Sequence, residues 1–280
     1  MSHNEISFIN SDNSKNFILS IRLAADGFSF YLSKRGEAEV HSFHYDVEPE
    51  LSMPGNVARM MSRYDYLFAL VYDSVNVLWC ESRVSFVPFV LFDDDDAELV
   101  FRQNFDLPDG GRVGYNILAR SGTVAVFDCD ATLCGTFENK FGTGLRHLSP
   151  ASYMAERFAA LSRDVAGRAI YAVISEKRVW LFGMDGGKPF FVNSFDCRED
   201  ADRAYFALAV WRSFGLDQKA DCFYLVPDGA EVRPLEKLLS VYVDNVMLLP
   251  HDGRDMTVIS DRRADKRGLP FDVESVLFEK

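Results

Sequence analysis

The sequence predicts an α/β protein made of two similar β-β-β-α-β-α-β units, each a mixed sheet flanked by helices. Three observations predict it. Residues 18–43, ILSIRLAADGFSFYLSKRGEAEVHSF, lie without a gap on residues 170–195, IYAVISEKRVWLFGMDGGKPFFVNSF. Ile18 falls on Ile170, Ile21 on Val173, Phe28 on Trp180, Phe30 on Phe182 and Val40 on Val192, and both copies end in Ser-Phe. Internal self-similarity of this kind decides architecture before any single element does. Second, each copy divides into three apolar runs separated by turn residues, the pattern of consecutive strands. Third, the second copy is followed by helix-spaced apolar residues, a strand, another helix and a last strand.

In chain order, the first copy turns at Ala25-Asp26-Gly27 and at Arg35-Gly36. Helical spacing follows over 56–64, a strand over 75–80, and a helix over 96–105. Strands are expected near 113–119 and 123–127, then a helix through Cys134–Lys140 and a longer one over 150–163 that bridges to the second half. The second copy turns at Glu176-Lys177-Arg178 and Asp185-Gly186-Gly187. ADRAYFALAVWRSFGL then reads as a helix behind an acidic entry, DCFYLVP as a strand, VRPLEKLLSVY as a helix and NVMLLP as a strand. These elements divide the chain into a flexible N-terminus (1–16), a first lobe (17–165), a second lobe (166–250) and a tail (251–280) that packs back on the body.

Composition narrows the function classes. Of 280 residues, 48% are hydrophobic and 14% aromatic, enough for a well-packed core. The 42 acidic side chains exceed the 30 Lys and Arg and set the formal charge at -12. That field repels polyphosphate, so nucleic acid and anionic membrane surfaces are poor partners. The polar start MSHNEISFINSDNSKNF predicts no signal peptide, and no apolar run is long enough to span a bilayer. Cys80, Cys129, Cys134, Cys197 and Cys222 form an odd set without a CxxC pair. They read as reduced thiols in a cytoplasmic protein.

LSIRLAADGFSF, the SFVPFVLFD segment, the NSF followed by an acidic residue and an aromatic-rich helix, and the closing LPFD resemble a bacterial family of unknown function with an actin-like ATPase fold. More broadly, the duplicated unit resembles the actin, sugar-kinase and heat-shock-chaperone ATPase superfamily, whose sheets are of the ribonuclease-H-like type. The resemblance implies two lobes with a nucleotide cleft between them. It places Arg22, Ala24, Ser175, Lys177, Asp228 and Gly229 around that cleft. At such positions the superfamily carries Asp and small residues, because backbone N–H groups must approach the phosphates closely. Here Arg22 stands where an Asp is expected, and Ser175-Glu176-Lys177 offers neither Asp nor Gly. Val226-Pro227-Asp228-Gly229 keeps one Gly beside a residue without an N–H. No cofactor is therefore expected. ATP–Mg²⁺ binding with slow or no hydrolysis is the alternative.

Asp128-x-Asp130-x-Thr132, after the apolar VAVF, resembles the opening motif of the haloacid-dehalogenase phosphatases. That reading makes Asp128 the nucleophile and Asp130 the general acid/base, with Mg²⁺ on the phosphate. Ser175, Lys188 or Lys219, and Asp228 with Glu231 would fill the remaining roles. The competing reading is a strand running into a helix, with one carboxylate as its N-cap. Asp93-Asp94-Asp95-Asp96 likewise reads as a helix entry in preference to a metal cluster, since it lacks the spaced ligands of a calcium loop. His41 and His44, three apart on a strand, point to opposite faces and do not form a metal site. GMDGGKPF lies between two strands and reads as a hairpin loop. By elimination, the sequence points to a non-catalytic scaffold or regulator that works through a protein partner.

Overall fold

The computed structural model describes residues 8–24, 27–249, 257–260 and 268–277. The chain opens with β1 (Ile18–Ala24), β2 (Gly27–Ser33) and β3 (Glu39–Tyr45), followed by α1 (Met53–Arg63) and α2 (Asp65–Phe68). Next come β4 (Ser74–Trp79), β5 (Val84–Pro88), α3 (Ala97–Arg102), β6 (Gly111–Leu118) and β7 (Thr123–Asp130). Then follow α4 (Ala131–Phe141), β8 (Leu145–Leu148) and α5 (Pro150–Ser162). The second half holds β9 (Arg168–Ile174), β10 (Arg178–Asp185), β11 (Lys188–Asp196), α6 (Asp200–Ser213), β12 (Cys222–Pro227), α7 (Arg233–Leu239) and β13 (Val246–Leu248). Two later elements, β14 (Thr257–Ser260) and α8 (Phe271–Leu277), complete the described chain.

Three sheets result. The first has the order β14-β3-β2-β1-β4-β8 and the second β11-β10-β9-β12-β13. In each, a three-stranded antiparallel meander joins, through its first strand, a pair of parallel strands. The strand order β3-β2-β1-β4-β8 thus repeats as β11-β10-β9-β12-β13, and the expected α/β architecture of mixed sheets flanked by helices is what the chain adopts. The third sheet, β5-β7-β6, is antiparallel throughout and sits as an insert between β4 and α4.

Strand alternation decides what each face meets. In β1, Leu19, Ile21 and Leu23 pack into the core that holds Val57, Met60 and Phe137 of α1 and α4. Ser20 and Arg22 point the other way, and Arg22 reaches α8. In β9, Ile170, Ala172 and Ile174 meet Ala207 and Trp211 of α6 and Leu235 of α7. Tyr171 and Val173 face α5 instead and join the first core. Phe158 of α5 stacks on Tyr171 at 4.6 Å and on Phe271 of α8 at 5.5 Å, so the aromatic packing runs from the second sheet through α5 to α8. Offset-stacked rings add to simple area burial.

Local chemistry fixes the ends of several elements. Ser52 caps α1 by accepting from Gly55 N–H, with Pro54 in the first turn. Gly186 and Gly187, at φ 53° and 87°, make the two-residue turn between β10 and β11. Positive φ at both positions is what a right-twisted hairpin of that length demands. GMDGGKPF is therefore a hairpin loop.

Some expectations shift. The first sheet has a strand, β8, that the sequence reading lacked; its LRHL is short, half polar and on the sheet edge. Within the N-terminal segment, Ile9 and Ser14 are buried and Phe8 stacks on His41 at 3.7 Å. Of the tail, β14 pairs parallel with β3 and α8 packs against α5. The expected turn residues Ala25 and Asp26, and most of the charged stretch 250–267, lie outside the described residues.

Candidate functional site

The seam between the first and second sheets is where the sequence places its cleft residues. Arg22 projects from β1 into this seam. A guanidinium at such a depth needs a carboxylate, because uncompensated charge away from water is strongly destabilising. Asp272 of α8 supplies it, with Arg22 Nε donating to Asp272 Oδ2 at 3.0 Å. Tyr31 and Cys80 lie close enough to feel this pair. Burial pushes the Tyr31 hydroxyl and the Cys80 thiol up from their ordinary values, against the pull of Arg22. Ala24, at the end of β1, is buried.

From the second sheet, Asp228 follows β12. Its N–H donates to Ile174 O at 2.8 Å, and its Oδ1 accepts the N–H of Phe271 at 3.0 Å. The N-terminal residues of α8 thus touch both sides of the seam, Asp272 bonding to β1 and Phe271 to the loop after β12. Arg157 of α5 adds an ion pair to Glu274 at 2.7 Å and lies over the Phe271 ring at 4.7 Å.

The β9–β10 turn is closed on itself. Ser175 N–H and Oγ both donate to Arg178 O at 3.0 Å, and Ser175 Oγ accepts from Arg178 N–H. Its carbonyls are held from behind: Arg203 of α6 donates Nη2 to Ser175 O and Glu176 O. Lys177 is exposed, and its carbonyl accepts from Cys197 N–H. Gly229 is exposed at φ 82° with open space around it. At the rim, Arg178 bridges the halves: Nη2 pairs with Glu81 at 2.8 Å, Nη1 donates to Cys80 O, and Nε pairs with Asp196.

The comparisons with known proteins bear on this arrangement. Residues 6–246 match the family described as Protein of unknown function (DUF3822). The chain belongs to that family. A crystal structure from Bacteroides thetaiotaomicron VPI-5482, of a protein with actin-like ATPase fold and unknown function, is similar to this DUF3822 chain at a TM-score of 0.80. The two share 25% identity over 96% of this chain and 98% of that one. A chain of the PilM-PilN type IV pilus biogenesis complex is similar at a TM-score of 0.50 and 16% identity, over 86% of this chain and 90% of that one. No curated protein matches the sequence. The DUF3822 chain has the actin-like ATPase fold.

The phosphatase-like residues of this DUF3822 member lie elsewhere. Asp128 and Asp130 stand on β7, the central strand of the antiparallel insert sheet. Asp128 is engaged by Arg83, whose N–H and Nη2 donate to it at 2.7 and 2.6 Å. Asp130 caps α4, accepting from Leu133 N–H at 2.8 Å. Lys188 borders the β10–β11 hairpin, Lys219 precedes β12, and Glu231 lies between β12 and α7. In the acidic run, Asp93 accepts from Asp95 N–H and caps a 3-10 turn, Asp94–Asp96, that leads into α3. His41 pairs with Glu39, while His44 contacts Ser29 and Asp46. Among the described residues, no three His, Cys, Asp or Glu are placed to hold a metal ion, and no helix is long and apolar enough to cross a membrane.

Sequence reasoning missed three residues that shape the seam: Asp272, Arg203 and Arg178. Only Asp272 carried a signal, as the acidic residue that closes LPFD two positions after Pro270.

Proposed function

We propose that this chain is a non-catalytic scaffold or regulator that acts through a protein partner. The observation that carries the reading is the engagement of α8, with Arg22 bonded to Asp272 and Asp228 bonded to Phe271 N–H. Two of the residues expected at a nucleotide cleft, Arg22 and Asp228, are thus engaged by α8. ATP–Mg²⁺ fits these residues poorly on chemical grounds. A metal-bound triphosphate asks for a carboxylate at the end of β1 and for glycine N–H groups at both turns. This chain offers an arginine already balanced by Asp272, and a turn whose Ser175 and Arg178 are bonded to each other.

The reading takes residues 17–165 and 166–250 as two lobes derived by internal duplication, in a cytoplasmic protein with no bound cofactor. The matching strand orders of the first and second sheets support the duplication. The PilM chain, which shares the fold, is part of a complex with PilN and gives a precedent for partner binding.

Phosphate release from ATP and from p-nitrophenyl phosphate tests the non-catalytic part. We expect no release above background from wild type and none from Asp128→Asn. Turnover that Asp128→Asn abolishes would establish the phosphatase, and ATP turnover that survives it would establish an ATPase.

A further inference from the structure

The insert sheet carries an apolar surface that nothing among the described residues covers. After β5 the chain makes a 3-10 turn, Phe89–Leu91, whose side chains project to solvent: Phe89 is 50% exposed, Val90 87% and Leu91 74%. Phe89 N–H donates to Gly122 O, which pins the turn beside the β6–β7 hairpin. Tyr115 and Ile117, 39% and 58% exposed, lie on β6 opposite Val126 and Val124 of β7. Phe92 joins the two groups, its ring 5.0 Å from that of Tyr115. Single exposed apolar residues are ordinary, but a contiguous patch with a polar border marks an interaction surface.

The border is acidic where the turn leads into α3. Asp93, Asp94, Asp95 and Asp96 follow Phe92 directly, all exposed, and none forms an ion pair among the described residues. Glu98 is the neighbouring carboxylate that does, with Arg102 at 2.7 Å. Four carboxylates beside an apolar patch select against a second copy of this chain meeting it face to face, and against an anionic membrane, because both would bring like charges together.

We infer that the Phe89–Phe92 turn, with Tyr115 and Ile117, is the docking surface for a partner protein's basic amphipathic segment. The segment's apolar side chains seat on Val90, Leu91 and Ile117, and its lysines or arginines meet Asp93–Asp96. This deepens the partner-binding reading and rests on it. Failure of the peptide experiment leaves docking through another surface standing, whereas phosphate turnover by the chain removes only the non-catalytic part of that reading.

The probe is a fluorescein-labelled peptide of about eighteen residues, long enough for several helical turns, with leucines on one face and lysines on the other. Its binding to the full chain is followed by anisotropy at low and at raised salt. We expect saturable binding that Val90→Asp/Leu91→Asp weakens at least ~10-fold, as loss of central apolar contacts does. The two added carboxylates strengthen non-specific attraction to a cation, so such a loss reports apolar contact. Asp94→Ser/Asp95→Ser should weaken binding by about 3-fold or more and flatten its salt dependence. Val241→Asp, at an exposed position after α7, should bind as wild type does. The inference is overturned if the peptide fails to bind, if Val90→Asp/Leu91→Asp binds equally, or if a serine-for-leucine peptide binds equally. It is also overturned if sedimentation shows a wild-type dimer that Val90→Asp/Leu91→Asp dissociates, or if the patch binds phosphatidylcholine vesicles.

Discussion

Arg22 and Asp272, 250 residues apart in sequence, meet at 3.0 Å and tie the central strand of the first sheet to α8. Their side chains are 18% and 13% exposed, so each depends on the other for compensation. Replacing only one leaves a charge with reduced access to water. Arg22→Met should therefore destabilise the chain by about 3 kcal/mol in urea unfolding. Arg22→Met/Asp272→Leu should recover at least half of that loss. If the double variant is no better than the single one, Asp272 is not the group that Arg22 balances.

Glu156 of α5 is a buried carboxylate that accepts from Arg120 N–H, Ser121 N–H and Ser121 Oγ at 2.9, 2.9 and 2.7 Å. It anchors the β6–β7 hairpin to the helix that runs between the halves. Glu156→Ala strands these donors in the interior and should cost about 3 kcal/mol. Glu156→Gln keeps the volume and one acceptor oxygen and should cost about 1 kcal/mol. Thermal unfolding of the two variants checks the ranking, and equal melting temperatures would contradict it.

His147 gives the fold a pH dependence of fixed sign. Burial holds its imidazole below the ordinary value of 6.5, despite Glu138 at 3.4 Å. Trp79 Nε1 donates to its Nδ1 at 3.2 Å, which suits the neutral ring. Because the folded value is the lower one, the unfolded chain takes up the proton first as pH falls. This contribution to stability is complete above 6.5 and is lost as pH drops from there toward the folded value. Glu138, held low chiefly by its hydrogen bond from Arg112, adds a loss of the same sign below 4.5. His147→Gln should flatten the decline in unfolding free energy between about pH 7 and about pH 5, where histidine titrates. A decline unchanged in the variant would assign it to other groups.

Much of the architecture was legible because it rests on short-range signals. The aligned runs at 18–43 and 170–195 mark the paired meanders, since apolar strands broken by turn residues leave a local pattern. Gly186-Gly187 and the carboxylate before α4 were legible for the same reason: a turn or a cap lies within a few residues of its cause. β8 escaped because LRHL is too short and too polar to show alternation, as suits an edge strand. The seam escaped for a different reason. Arg22 could be recognised as an unusual residue at its position, but its partner lies at the far end of the chain. Arg203 reads as one more charge on a helix until the fold turns it toward the Ser175 and Glu176 carbonyls. Long-range pairing of charges leaves no periodicity to find.

The account turns on whether the seam is closed to nucleotide by α8. Isothermal titration of the full chain with ATP–Mg²⁺ to millimolar concentration tests this most directly, since affinities weaker than about 1 mM correspond to only ~4 kcal/mol of binding. The account predicts dilution heats alone. Saturable heat that Arg22→Met or Asp228→Ala alters would contradict it and return the seam to a nucleotide site.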